Sequence, residues 1–404
     1  MRILVSTGQW FPEATGGSAR VATETAIALA DRGHEVTVIA PAVGHRGVEQ
    51  LAENLAIHRS LPRNRLPITL TDVVYTARSV RRAPRYDVAL VHQSTGAAGL
   101  IAAGFDAPIV LVYHASALRE LRFLRSLSGA ARSLSSRGLE PFLAWFERIA
   151  LERSSSILVL SEFSRSLIEA DHPLQAGKIT HVSGGVDVDR FEPGDGREAA
   201  RRRLGIELDT TLLVTVRRLE PRMGIEQLLQ AVRLVRAGLD VRLAVVGSGS
   251  LMQRLQAAAA ALGIADVVDF RGRVPDAEVV DWYRAADLFL LPTIAYEGFG
   301  MVTVEALSAG TPVVGTPVGA TPELLEPLDP RLIATHADAE GLAEAIHVAV
   351  AIAGPELRTA CRAYACAEFA WPHVMDGWEQ ALLAAGGRAA SSGSRLERAM
   401  VGGF

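Results

Sequence analysis

Residues Leu288 to Glu323 read LFLLPTIAYEGFGMVTVEALSAGTPVVGTPVGATPE, and this stretch restricts the fold more than any other. Leu288 to Leu291 predicts a buried strand that breaks at Pro292. The Gly-rich turn Glu297-Gly298-Phe299-Gly300 then feeds a helix of roughly ten residues, a typical length. Pro312 to Val314 predicts a second apolar strand. A strand that passes through a helix into another strand builds a sheet covered by helices. The turn also places backbone N–H groups and a helix dipole at one spot, which makes an anion site. Glu297 and Glu305 flank that spot. Carboxylates on both sides are wasteful for phosphate alone, and fit a ligand that carries hydroxyls beside its phosphates.

The same rhythm recurs in both halves of the chain. Arg2 to Ser6 predicts a buried strand, followed by a loop ending in Gly16-Gly17 and a helix from Ser18 to Arg32. Val21, Thr25, Ala28 and Leu29 recur at helical spacing, and Gly33 stands where such a helix stops. The next strand is expected at Val36 to Ala40, and others at Val88–His92, Ile109–His114 and Ile157–Ser161. Gly16-Gly17 is either a turn or a place where a ligand approaches the backbone. His114 ends its strand on the edge where open α/β sheets bind ligands. It either hydrogen-bonds a substrate or serves the structure, and Ser161 equally suits the cap of a helix starting near Ser164.

In the second half, strands at Thr211–Val216, Val241–Val246, Val267–Arg271 and Leu288–Leu291 alternate with helices at Ile225–Arg236, up to Leu262, and at Ala277–Ala286. The fold class is therefore α/β, with two doubly wound domains, residues 1–188 and 189–370. The polar, charged stretch from Asp189 to Arg203, with Pro193 and Gly194, reads as their connection. Helices are expected at Gly341–Ile352, Pro355–Glu368 and Trp371–Leu383. Residues 386–404, rich in Gly, Ser and Ala, read as a mobile tail.

The length of 404 residues fits two or three domains, and the net charge of −4 argues against a nucleic-acid binder. No apolar run reaches the ~18 residues a membrane helix needs. MRILVSTGQWFPE turns polar after one short strand, so a signal peptide is not expected and a cytoplasmic location is. Cys361 and Cys366 fall on different helix faces, which favours reduced thiols over a disulfide or a metal pair. No Asp-x-Asp motif stands at a strand end, so no metal site is expected. Gly247-Ser248-Gly249 lacks the third glycine of a dinucleotide fingerprint. Lys178 is the one lysine among 41 basic residues, a bias that fits a high-GC bacterial genome.

With these segments placed, the chain resembles the retaining glycosyltransferases of family 4. Those proteins have the GT-B fold, two Rossmann-like domains facing each other across a cleft. The resemblance runs from Gly16-Gly17 to Trp371. It is carried by Glu297-Gly298-Phe299-Gly300 with Glu305, by Gly310-x-Pro312-Val313-Val314, and by Gly319 to Glu323. It implies that Glu297 holds the donor sugar's hydroxyls and Glu305 the ribose hydroxyls. The backbone of Phe299, Gly300, Met301 and Val302 would cradle the sugar and β-phosphate. Arg218 corresponds to the diphosphate arginine, and Arg273 and Val274 lie where the base is bound through the main chain. Gly16, Gly17 and His114 match, more loosely, the acceptor-domain loop and the histidine that touches the donor sugar. Glu297, Arg218 and His114 are thus the expected catalytic residues. The helix of residues 371–385 is expected to return to the first domain.

One position departs from the family pattern. The usual lysine, five residues after Arg218 and just before a glycine, is here Met223, followed by Gly224. Methionine neutralises no diphosphate, which weakens leaving-group stabilisation. Arg222 or Arg217 is then expected to supply the charge, arginine being the better bidentate phosphate partner. The resemblance implies transfer of a hexosyl unit from a nucleoside diphosphate sugar to a hydroxyl of a lipid-linked glycan, a surface polysaccharide or a small-molecule glycoside. The reaction would be retaining, with no cofactor and no metal. A non-catalytic nucleotide-sugar-binding protein and a sugar phosphorylase on the same fold are the alternatives. Seven arginines stand between Arg59 and Arg85 against one acid, Asp72, and five between Leu118 and Arg137 against Glu120. The run LRELRFLRSL suits peripheral contact with an anionic membrane at the inner face. The reading favoured is a solvated face that offsets acidic patches elsewhere.

Overall fold

The structure is a computed structural model that describes residues 1–14, 16–42, 47–62, 68–80, 85–127 and 139–401. The chain divides into two compact units, Met1–Ser183 with Val374–Phe404, and Gly184–His373. In the first, β1 (Arg2–Ser6), β2 (Glu35–Ala42), β3 (Gly47–Ala52), β4 (Leu55–Pro62), β5 (Val88–Val91), β6 (Ile109–Tyr113), β7 (Ser156–Val159) and β8 (Ile179–His181) form one sheet in the order β3-β4-β2-β1-β5-β6-β7-β8. Only β3–β4 is antiparallel among its described pairs. β5, β6 and the Ile3–Val5 centre of β1 read as unbroken apolar runs because they are buried on both faces. β3, Gly47–Ala52, is exposed along almost its whole length, and its mixed sequence GVEQLA shows no apolar alternation that would signal a strand. The chain winds outward from β1 to β2 and later returns to place β5 on the other side of β1. The switch point of the sheet is therefore between β1 and β5.

In the second unit, β9 (Thr211–Val216), β10 (Val241–Val246), β11 (Val268–Gly272), β12 (Leu288–Leu291) and β13 (Val313–Gly315) run parallel in the order β11-β10-β9-β12-β13. Its switch point lies between β9 and β12. Leu213, Leu243, Leu290 and Val314 pack with Leu228, Val232, Leu255, Leu342 and Ile346 from the covering helices in one buried cluster. The expected alternation of strand and helix through this half matches the observed elements to within a few residues.

Two expectations are corrected. The stretch from Asp189 to Arg203, read as the connection between domains, lies inside the second unit, and Arg197–Leu204 is a helix. Its Arg201 is fully buried: it donates to the carbonyls of Ala285, Glu207, Leu208 and Thr210 and pairs with Asp287. A charge satisfied this completely is packed in the interior, although in sequence it resembles a solvated linker. Residues 386–401, read as part of a mobile tail, continue the helix Trp371–Val401, and residues 402–404 lie outside the described residues. Their alanine, arginine, leucine and glutamate are good helix formers, which outweighs the glycine and serine content. Within the first unit this helix buries Met375, Trp378 and Leu382, and Trp378 Nε1 donates to the Ser183 carbonyl at 2.9 Å. Glu379 accepts from Arg32 and His34, each at 2.8 Å.

Candidate functional site

Four loops leave the C-terminal edge of the second sheet: Arg217–Gly224 after β9, Gly247–Gly249 after β10, Pro292–Gly300 after β12 and Thr316–Ala320 after β13. Their backbones interlock. Arg217 N donates to Val246 O at 2.9 Å, Ile294 N to Arg222 O at 3.0 Å and Ala320 N to Glu297 O at 2.9 Å. Two crossings admit no side chain. A Cβ on Gly224, at φ 71°, would lie 1.7 Å from the Pro292 carbonyl oxygen. A Cβ on Gly319, at φ 65°, would lie 2.2 Å from that of Glu297. Glycine alone reaches both the left-handed backbone and the close approach.

Glu297 sits in the β12 loop with 11% of its side chain exposed, against 6% for Arg217. Its Oε2 accepts from Arg217 Nη2 at 2.5 Å and from Thr293 Oγ1 at 2.8 Å, and Arg217 Nη1 donates to Thr293 Oγ1. Its Oε1 has no protein partner among the described residues. Burial pushes the carboxyl upward. The charges of Arg217 and Arg222, with the hydrogen bonds from Arg217 and Thr293, outweigh burial and hold it below the usual carboxylate range. Tyr296, the residue before it, is at φ 55°, a conformation that side chains other than glycine rarely adopt. The Tyr296 carbonyl accepts from Arg222 Nη1 at 3.2 Å. A strained residue held by its surroundings beside a buried charge is a frequent mark of a functional site.

Gly300, at φ 93°, caps the helix Met301–Ser308 without a side-chain hydrogen bond. The first N–H groups of that helix, at Met301 and Val302, thus have no capping side chain, and the dipole's positive end stays uncovered. Phe299 is buried, its ring against Phe369 at 6.0 Å and against Gly184. Glu305 is inside the helix, 3% exposed, and its Oε2 accepts from Tyr283 Oη at 2.7 Å. Met223 belongs to the apolar core cluster. Arg218 is exposed, and its guanidinium has no ion pair among the described residues. Arg273, exposed, and Val274, half-buried, follow β11 on the same sheet edge. The structure therefore joins Glu297 to Arg222 through the Tyr296 carbonyl and aligns Arg218, Arg273, Val274 and the Gly300 turn along one edge. Arg217, Thr293 and Tyr283 were not singled out as partners of the two glutamates. The available signal was position: Arg217 and Thr293 stand just after apolar strands, as His114 does in the first half.

In the first unit, His92 follows β5 and His114 follows β6. His92 Nδ1 and His114 Nε2 share a hydrogen bond of 3.0 Å, with the ring planes 18° apart. Burial pushes His114 down to about 4. Burial and the neighbouring His114 push His92 well below the usual imidazole range. The pair is neutral at pH 7. Gly16, at φ 130°, precedes the helix Gly17–Asp31 as a cap without a side-chain bond. Ser161 has the structural role open to it: its Oγ accepts from Ser164 N at 3.1 Å and caps Glu162–Asp171. Of the arginine-rich runs, Arg119 pairs with Asp171, Arg122 and Arg125 with Glu140, and Arg59 with Glu13 and Glu49. Arg63, Arg65, Arg81, Arg82, Arg132 and Arg137 lie outside the described residues.

The profile described as Glycosyltransferase Family 4 matches residues 15–190, and that described as Glycosyl transferases group 1 matches residues 196–367. The D-inositol 3-phosphate glycosyltransferase of Mycolicibacterium smegmatis is 30% identical over 394 residues, 93% of this chain and 87% of that protein. The protein of the same name from Streptomyces avermitilis is 41% identical over 158 residues, a match that spans only 37% of this chain and 34% of that one. Sucrose-phosphate synthase from Thermosynechococcus elongatus has a similar structure, with a TM-score of 0.78 over 99% of both chains at 21% identity. An Anabaena protein in complex with UDP-glucose has a TM-score of 0.69 over 98% of this chain and 100% of that one, at 18% identity. The structural likenesses establish two Rossmann-like domains of the GT-B type. Together with the near full-length relationship to the Mycolicibacterium protein, they lead to one conclusion: the chain belongs to glycosyltransferase family 4, the group 1 glycosyl transferases.

Proposed function

We propose that this protein transfers a hexosyl unit from a nucleoside diphosphate sugar to an acceptor hydroxyl, with retention at the anomeric carbon. The observation that carries the reading is Glu297, with one oxygen fixed by Arg217 and Thr293 and the other without a partner among the described residues, beside the helix start at Gly300, which has no side-chain cap. An ionised carboxylate only accepts hydrogen bonds, which suits the hydroxyls of a sugar. A helix start and an exposed arginine suit a diphosphate. The Anabaena protein bound to UDP-glucose makes that donor the first to try.

In this mechanism the bond from the anomeric carbon to the β-phosphate oxygen breaks first, through an oxocarbenium-like transition state. Arg218 and the N–H groups at Gly300–Val302 stabilise the charge that develops on the departing diphosphate. Glu297 holds sugar hydroxyls, Glu305, anchored by Tyr283, holds the ribose, and the main chain at Arg273 and Val274 holds the base. Neutral His114 acts as a hydrogen-bond partner. No carboxylate acts as nucleophile, in contrast to retaining glycosidases. The leaving phosphate oxygen takes the acceptor's proton as the new bond forms on the same face. No metal takes part, so chelators should leave turnover unchanged. The names of the relatives make D-inositol 3-phosphate the first acceptor to test, ahead of lipid-linked glycans, polysaccharides and other glycosides.

The test is acceptor-dependent release of nucleoside diphosphate across a panel of donors, with the product's anomeric configuration read by NMR. Retained configuration supports the mechanism and inversion refutes it. Glu297→Ala should abolish transfer with the fold intact, and full activity in that variant would end the hypothesis. The apolar burial of Met223 favours one other reading, a protein that binds donor without turnover. Donor binding with no diphosphate release in the presence of any acceptor would support that alternative. A phosphorylase would instead require inorganic phosphate.

A further inference from the structure

We propose that Arg217 is a positioning residue for Glu297: it fixes Oε2 so that Oε1 alone meets the donor sugar, and it does not bind the diphosphate. The inference rests on the donor-binding reading above. Three arginines lie in the loop after β9, and the structure gives each a different task. Arg218 is exposed and has no ion pair among the described residues. Arg222 donates to the carbonyl of Tyr296. Arg217 alone bonds Glu297 directly.

Arg217 is anchored along its whole length. Its N donates to Val246 O, and a Cβ on Gly247 would come within 1.9 Å of its carbonyl oxygen, so its backbone lies wedged against the β10 loop. Its Nη1 and Nη2 meet Thr293 Oγ1 and Glu297 Oε2, and Thr293 itself donates to the same Oε2. Arginine, threonine and glutamate thus close a ring of hydrogen bonds in which Oε2 receives two donors and Oε1 none. With 6% of its side chain exposed, Arg217 has its cationic groups turned onto protein partners. Without that guanidinium the nearly buried carboxylate would keep Thr293 as its one direct donor and the charge of Arg222 nearby, and its affinity for a proton would rise. A protonated Glu297 would present a donor as well as an acceptor, and its orientation would no longer be fixed. Met223, six residues further along the same loop, is apolar and packed in the core, so it adds no charge beside Glu297, and Arg217 is the cation bonded to that carboxylate.

The discriminating experiment compares two probes, UDP and UDP-glucose, on the full-length protein by calorimetry, together with acceptor-dependent UDP release. Arg217→Met should weaken UDP-glucose by about tenfold, as expected for loss of a charged hydrogen-bond partner, while UDP binds as in wild type. Arg218→Met should weaken both. The acidic limb of kcat/KM should move to higher pH in Arg217→Met and return in Arg217→Lys, because a cation there again favours the ionised carboxylate. Thr293→Val keeps the charge and removes one donor, so it should raise KM with a smaller displacement of the limb. If Arg217→Met fails to fold, Thr293→Val carries the comparison, and it should weaken UDP-glucose while UDP binds as in wild type. Equal weakening of UDP and UDP-glucose would assign Arg217 to the diphosphate and overturn the proposal, as would unchanged binding and an unmoved limb. A wild-type protein that binds no nucleoside diphosphate and no nucleotide-sugar across the donor panel would refute the donor reading itself. One that binds both without turnover would refute only catalysis and leaves the binding comparison in force.

Discussion

Glu297 is ionised because two guanidinium groups outweigh its burial, and the amide of glutamine cannot reproduce that balance. Glu297→Gln would set an amide in the place of Oε2 or Oε1 and lose the ion pair with Arg217. A loss of about 10²–10³ in kcat/KM is expected, the size seen when one preorganised polar partner is removed. Steady-state kinetics with UDP-glucose checks it, and circular dichroism verifies that the fold survives. The histidine pair gives a prediction of opposite electrostatic sense. The folded protein holds His114 at about 4, against 6.5 for an unperturbed imidazole. Between those values the unfolded chain binds more protons than the folded one, so protonation favours unfolding. The stability that His114 contributes should therefore fall as pH drops below about 6.5 and level off below the folded value, and His114→Asn should reduce the slope in that window in urea titrations at successive pH. At this scale the sequence reveals Glu297 and Glu305 through their spacing and flanking glycines. It names Arg217 only as a candidate phosphate cation and does not reveal its pairing with Glu297, 80 positions away and brought to it by the pairing of β9 with β12.

Elements built from apolar runs are legible for a physical reason: β5, β12 and the inner residues of β1 and β9 are buried, so they report the core. Elements that depart from that rule are not legible. β3 is an exposed antiparallel edge, and the helix Arg197–Leu204 is so charged that it reads as linker, although Arg201 lies at its buried centre. Replacing Arg201 by methionine would strand four carbonyls and leave Asp287 with Arg197 as its remaining cation. Breaking a buried pair of this kind should destabilise by about 3 kcal/mol, measured by chemical denaturation. Gly319→Ala tests the loop crossings. The new methyl has no space beside the Glu297 carbonyl and the backbone there is left-handed. The variant should melt at a lower temperature and also bind UDP-glucose more weakly, since relief of the clash displaces Glu297. A lowered melting temperature with unchanged binding would show that the crossing supports the fold and not the site. In the helix Ala117–Leu127, Arg119, Arg122 and Arg125 are each paired with an acid. Paired charges attract anionic lipid weakly.

Across the whole molecule, the residues assigned to the donor are divided unequally. Arg218, Arg222, Arg273, Val274, Glu297 and the turn from Phe299 to Glu305 all lie in the unit Gly184–His373, and Gly16, Gly17 and His114 lie in the other. The residues proposed to hold diphosphate and base, Arg218, Arg273, Val274 and the Gly300 turn, all belong to the second unit. Binding of a nucleoside diphosphate alone should therefore be recorded almost wholly in the second unit. Hydrogen exchange on the full-length protein, with and without saturating UDP, measures this directly, because a ligand that binds the folded state suppresses the openings through which nearby amides exchange. Amides of Arg217–Gly224 and Pro292–Val302 should slow, while those following β1, β5 and β6 in the first unit keep their rates. UDP-glucose should extend the protection around Glu297 if, as proposed, the sugar engages Oε1. Protection by UDP that appeared first at His92 and His114 would place the diphosphate on the first unit and undo the division of labour argued for Arg217 and Arg218.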